Sequence, residues 1–185
     1  HKIIYLFSKQ FNRNIVLTHC FVLFKTKHIS FINFANKKIM NIIEMDRKTG
    51  DFGFEAKDEN GNTLHTDSSI ENGGSNYGFR PMQLILSGLG SCSAIDMVSI
   101  LKKQKQTVDD FKIKIIGERE KDKVPSLWKS VEVTFELYGN IDAEKAKKAA
   151  ALSMEKHCSV AETLRRGGTE ITWNVKVINK EKVLA

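Results

Sequence analysis

At 185 residues and 41% hydrophobic side chains, the chain has room for one domain with a sizeable core. Its net charge of +7 suggests a nucleic-acid binder, but residues 1–39 hold seven of the 29 Lys and Arg and no Asp or Glu, so the rest balances 22 basic against 22 acidic side chains. The electrostatic footprint of nucleic-acid binding is therefore excluded for everything after residue 39.

Residues 1–39 lack Gly and Pro and are dominated by Lys, Asn, Ile, Phe and Leu. A targeting peptide would have a long apolar stretch and a small-residue cleavage site, and neither is present. A membrane-surface helix could use Ile3, Ile4, Phe7 and Phe11, but Asn12 and Asn14 interrupt it. The expectation is translated upstream sequence, with a targeting segment as the alternative: a non-native or disordered extension over 1–39, and a folded domain over 40–185 beginning at Met40. Cys20 falls in the extension and is set apart from the chemistry.

Asn41 to Met45 and Phe52 to Ala56 are short runs joined by a connection ending in Gly50, which predicts a β-hairpin. Asn60-Gly61 marks a second turn into Asn62 to Thr66, giving a three-stranded meander. Residues 67–80 are rich in Ser, Asn and Gly and read as a loop. Pro81 then opens a helix, since its missing N–H costs nothing at the first helical position.

That helix, Pro81 to about Lys103, is apolar on all sides, which predicts burial all round. Arg80, Gln83 and Asp96 with several Ser and Gly argue against a membrane span. Ser87, Gly88, Gly90, Ser91, Ser93 and Ala94 thin its middle, so a neighbour must approach closely there, and Cys92 sits in this thin segment.

Asp110 to Gly117, Val131 to Leu137 and Ile171 to Val177 alternate with a period of two, as half-buried strands do. Asp142 caps an Ala-rich helix from Ala143 to about Lys156. Ser159-Val-Ala-Glu162 reads as a capping box opening a short helix to Arg166. The order of elements is α+β with an antiparallel sheet. The five His are scattered, so no metal site and no cofactor are expected.

Cys158 precedes a helix N-terminus, where the dipole and free N–H groups should lower its pKa. Two cysteines outside the extension, each in a distinct helical setting, fit a nucleophile and a resolving partner; the alternative is that each is a small buried hydrophobe. Spacing alone does not choose between these readings. Asp96, one turn after Cys92, would raise a thiol pKa if it faced one.

The motif Pro81-Met-Gln-Leu-Ile-Leu through Gly90-Ser-Cys92-Ser-Ala-Ile-Asp-Met-Val-Ser-Ile-Leu-Lys-Lys, followed by His157-Cys158-Ser-Val-Ala, resembles the OsmC/Ohr family of thiol peroxidases and is most similar to its YhfA-like branch. The likeness spans about Met40 to Val177. It implies an OsmC-like fold: antiparallel sheets wrapped around a long buried central helix in an intertwined homodimer. It also implies thiol-dependent reduction of organic hydroperoxides in oxidative-stress defence. Cys92 matches the peroxidatic thiol, and Cys158 matches the resolving thiol, which an external dithiol later regenerates. The family's peroxidases carry Glu directly after this Pro to hold a catalytic Arg; here that position is Met82 and the next is Gln83. Arg47 and Arg80 are the candidate partners for the thiol. The alternative is a binding or redox-sensing protein holding a small apolar ligand at the dimer interface. Two thiols without a convincing signal peptide fit the cytoplasm, with neither nucleic acid nor membrane as partner.

Overall fold

Alternating side chains build two separate three-stranded sheets in the computed structural model, which describes residues 40–179. The readings of residues 1–39 and Cys20 lie outside the described residues. Strands β1 (Ile43–Thr49), β2 (Gly53–Asp58) and β3 (Thr63–Thr66) form an antiparallel meander. The register sets Met45 opposite Ala56 and Ala56 opposite Leu64, while Arg47 faces Phe54. One face thus carries Ile43, Met45, Arg47, Phe54, Ala56 and Leu64. The other carries Asp46, Lys48, Glu55 and His65, with Lys48 Nζ 3.4 Å from Asp46 and 3.5 Å from Glu55.

The following loop is organised by a single carboxylate. Asp67, 3% exposed, accepts the backbone N–H groups of Ser68, Ser75 and Tyr77 at 2.7, 2.8 and 2.9 Å and the Ser75 hydroxyl at 3.0 Å. The Tyr77 N–H leads these donors in holding its pKa down at about 2. The loop folds back so that Phe79 bonds to both His65 and Asp67 at 3.0 Å. Gly78 is obligatory in this return, because a Cβ there would lie 2.2 Å from the His65 backbone.

Helix α1 (Pro81–Lys103) begins where the loop ends, and the Gln83 side-chain oxygen accepts the Arg80 N–H at 3.0 Å. Strands β4 (Asp110–Arg119), β5 (Trp128–Tyr138) and β6 (Glu170–Ile178) form the second sheet, with β5 central. Val131, Val133, Phe135 and Leu137 of β5 point into the core, flanked by Ile113 and Ile115 on one side and Trp173 and Val175 on the other. The opposite face is polar, with Lys176 Nζ 3.2 Å from Glu136 and Asn174 bonded to Thr134 at 2.9 Å.

Helices α2 (Ala143–Leu152) and α3 (Ser159–Arg166) join α1 over the apolar face. Asp142 caps α2 as expected, accepting the Lys145 N–H at 2.8 Å. Ala146, Ala149 and Ala150 are fully buried, small enough to let α2 lie close to α1.

The structure corrects the sequence reading at three points. The second sheet is mixed: β6 runs parallel to β5, because α2 and α3 carry the chain back across the sheet before it re-enters. The Ala-rich helix stops at Leu152, and a π-helical turn over Ser153–His157 takes its place. Helix α1 buries Leu89, Gly90, Ser93, Met97 and Leu101 but leaves Ile95 67% and Val98 40% exposed within the single chain. Helix α1 is the one helix among the described residues long and apolar enough to cross a membrane, and one side of it packs against β4, α2 and α3.

Candidate active site

The thin middle of α1 is a meeting point, as its composition predicts. On one side Gly90 lies under β4, where an added Cβ would come within 2.8 Å of the Ile115 methyl. On another side Gly88 faces the methyl groups of Val160 on α3. The Ser93 hydroxyl is fully buried and donates back to the Leu89 carbonyl at 2.7 Å, so the segment leaves no polar group stranded.

Val160 comes two residues after Cys158, so this packing carries the second thiol to the first. Cys92 and Cys158 are both free thiols, and they are near enough that Cys92 helps to raise the Cys158 pKa. Cys92 is half-buried, and Cys158 is 3% exposed.

Cys158 is itself the N-cap of α3, displacing Ser159 from the capping role read from sequence: its extended backbone lets Sγ accept the Ala161 N–H at 3.4 Å. The expected low pKa is overturned. Burial pushes the Cys158 thiol up to about 11, and the adjacent Cys92 adds to this; the N–H groups of Ala161 and Val160 pull the other way but only partly offset it. The reason is that a helix N-terminus stabilises a thiolate, whereas removal from water penalises the same charge, and here burial is nearly complete.

Asp96 does not stand as a lone charge at the thiols. Its Oδ2 lies 3.2 Å from the hydroxyl of Ser153, a fully buried side chain that also reaches the Ser93 carbonyl at 3.2 Å. From α3, Arg165 Nη2 donates to the Met154 carbonyl at 2.6 Å and secures the same π turn. Neither Ser153 nor Arg165 was legible as a site residue, since an Ala-rich helix followed by Leu-Ser-Met reads as uninterrupted helix.

The supporting candidates are placed elsewhere within one chain. Arg47 lies on the first sheet, its guanidinium 4.0 Å from Asp51. Arg80 precedes α1 near Glu71, whose pKa is lowered first by hydrogen bonds from its own backbone N–H and from Ser69 and last by the Arg80 charge. At about 1.5 Å rise per residue, Arg80 and Gln83 lie roughly 18 and 14 Å along the helix from Cys92. Gln83 serves as a helix cap, and Met82 packs into the core rim. Among the described residues no group of three His, Cys, Asp or Glu side chains is arranged to hold a metal ion.

A family model described as OsmC-like protein matches residues 73–174, which include both cysteine segments. The chain belongs to the OsmC-like family. Protein YhfA of Escherichia coli is 37% identical over 99 residues, covering 53% of this chain and 72% of that protein. A hypothetical protein from Aquifex aeolicus is similar in structure, with a TM-score of 0.63 and 29% identity over 76% of this chain and 98% of the other. A Legionella pneumophila protein described as an organic hydroperoxide resistance protein OsmC shares the fold at TM-score 0.58 and 18% identity, covering 76% and 98%.

Proposed function

We propose that this OsmC-like protein reduces organic hydroperoxides through its two thiols, working as a homodimer. The observation that carries the reading is the packing of α1 on α3, with Gly88 against Val160, which brings Cys92 and Cys158 into one neighbourhood as free thiols. In the first step Cys92 thiolate attacks the distal peroxide oxygen. The O–O bond breaks, a proton goes to the departing alkoxide, and Cys92 becomes a sulfenic acid. In the second step Cys158, as its thiolate, attacks the Cys92 sulfur; the S–O bond breaks and water leaves with one added proton, forming a disulfide. An external dithiol then reduces that bond and is itself oxidised to a disulfide. The unequal roles follow from burial: the protonated Cys158 is the poorer first nucleophile, and the more accessible Cys92 meets the substrate. Organic hydroperoxide resistance proteins of Legionella pneumophila and Elizabethkingia anophelis share this fold, which supports the substrate class.

The dimer reading rests on uncovered apolar surface. On the first sheet Ile43, Met45 and Leu64 are 60, 53 and 40% exposed and border an open hollow with Leu84 of α1. Ile95 and Val98 extend an apolar stripe along α1 past Ser91, beside Cys92. A second copy would cover both surfaces and bring an Arg to the thiol. Thiols free between turnovers fit the cytoplasm.

Met82 in place of the family's Glu favours a second reading, a protein that holds a small apolar ligand at the interface and turns over slowly. Rapid mixing with an organic hydroperoxide separates the two. Peroxide consumed in equal amount to the protein, with loss of both thiols, supports the peroxidase; retention of both thiols supports the binding protein.

A further inference from the structure

Ser153 touches the backbone neighbourhoods of both cysteines at once. Its carbonyl accepts the Cys158 N–H at 2.8 Å, closing the π turn. Its hydroxyl lies 3.2 Å from the carbonyl of Ser93, the residue after Cys92, and 3.2 Å from Oδ2 of Asp96, one turn further along α1. Ser153 and Ser93 are fully buried, so water does not compete for these bonds. The π turn makes this possible: its wider closure advances the chain so that residue 153 faces α1 while residue 158 leaves the helix in an extended conformation. The Met154 carbonyl, in the same turn, is taken by Arg165.

We propose that Ser153, held by Asp96, is a positioning residue that fixes the approach of Cys158 to Cys92 and so governs disulfide closure. This rests on the thiol-peroxidase reading for its biological setting, but the geometry bears on closure by any oxidant. Peroxide attack on Cys92 does not involve the Cys158 sulfur. Closure needs two sulfurs on separate elements at bonding distance and angle, and misplacement by about 1 Å can slow such a step on the order of 10²-fold. Ser153 links the two elements, so its loss should fall on closure alone.

The test uses the full chain and its Ser153→Ala, Ser153→Thr and Asp96→Ala variants. After rapid mixing with one equivalent of cumene hydroperoxide, formation and decay of the Cys92 sulfenic acid are followed by dimedone trapping and mass spectrometry. Ser153→Ala is expected to form the sulfenic acid within about twofold of the parent rate but to close at least about tenfold more slowly, with Ser153→Thr restoring closure. Asp96→Ala, at a half-buried position, is expected to slow closure in the same sense and stands in should Ser153→Ala not fold. Parent-like closure in the folded alanine variants, or equal slowing of both steps, would overturn the proposal. If the parent does not react with the peroxide, the peroxidase reading fails by itself. Closure is then driven by oxidised glutathione, two protein thiols giving one disulfide and two reduced glutathione molecules. Slower intramolecular closure in Ser153→Ala than in the parent and Ser153→Thr still upholds the positioning role of Ser153, and equal rates reject it.

Discussion

The buried Cys158 thiol makes disulfide closure strongly pH-dependent. With its pKa at about 11, roughly one molecule in 10⁴ carries the thiolate at pH 7, against about one in 10² for an ordinary thiol of pKa 9.0 at the same pH. That hundredfold difference corresponds to about 3 kcal/mol of bias toward the neutral form. Part of the bias comes from Cys92 and disappears when Cys92 is oxidised, but burial is the largest cause and persists. The rate of sulfenic acid decay, measured by quenched-flow dimedone trapping, should therefore rise about tenfold per pH unit from pH 6 to 8.5 with no plateau. Sulfenic acid should accumulate visibly at pH 6 and be fleeting at pH 8.5. A rate that levels off near neutral pH would mean that the α3 N-terminus, not burial, sets the Cys158 pKa, and would refute this reasoning.

Other outcomes follow from the same geometry. Cys92→Ser should abolish peroxide consumption, whereas Cys158→Ser should consume about one equivalent and leave a dimedone-reactive sulfenic acid; an adduct on Cys158 in the former would reverse the roles. Phe135→Ala removes a fully buried ring at the centre of the second sheet and should cost about 3–5 kcal/mol in urea unfolding, with no loss if the site were loosely packed. Asp67 has its pKa depressed to about 2, so its contribution to stability is present above about pH 4, the unfolded carboxylate value, and is lost as pH falls toward 2. Amide exchange at Ser75 and Tyr77 should accelerate over that window, and Asp67→Asn should remove the pH dependence. The parent chain should sediment as the proposed dimer and Ile95→Asp as a monomer in sedimentation velocity; a monomeric parent would contradict the proposed dimer.

The strands and the central helix were legible because each rests on a local signal. Period-two alternation marks Asp110 to Gly117, Val131 to Leu137 and Ile171 to Val177, and Pro81 marks the helix start. The small residues around Cys92 also announced a close neighbour, which proved to be Ile115 and Val160. The direction of β6 was not legible from its own residues, since alternation is the same in parallel and antiparallel strands; the helical connection between Gly139 and Thr169 was the available clue. The π turn at Ser153 carries no breaker residue, and tertiary contacts with α1 and Arg165 hold it. The Cys158 pKa was misjudged because helix capping is local and readable, whereas burial depends on how α1, α2 and α3 pack.

The central claim is that Cys92 and Cys158 form one redox pair. Intact-mass and peptide mapping after a single equivalent of cumene hydroperoxide test it most directly. The account predicts a loss of about 2 Da and a Cys92–Cys158 cross-linked peptide within each chain, reversed by a dithiol. Two unmodified thiols, or a cross-link that excludes either residue, would contradict it.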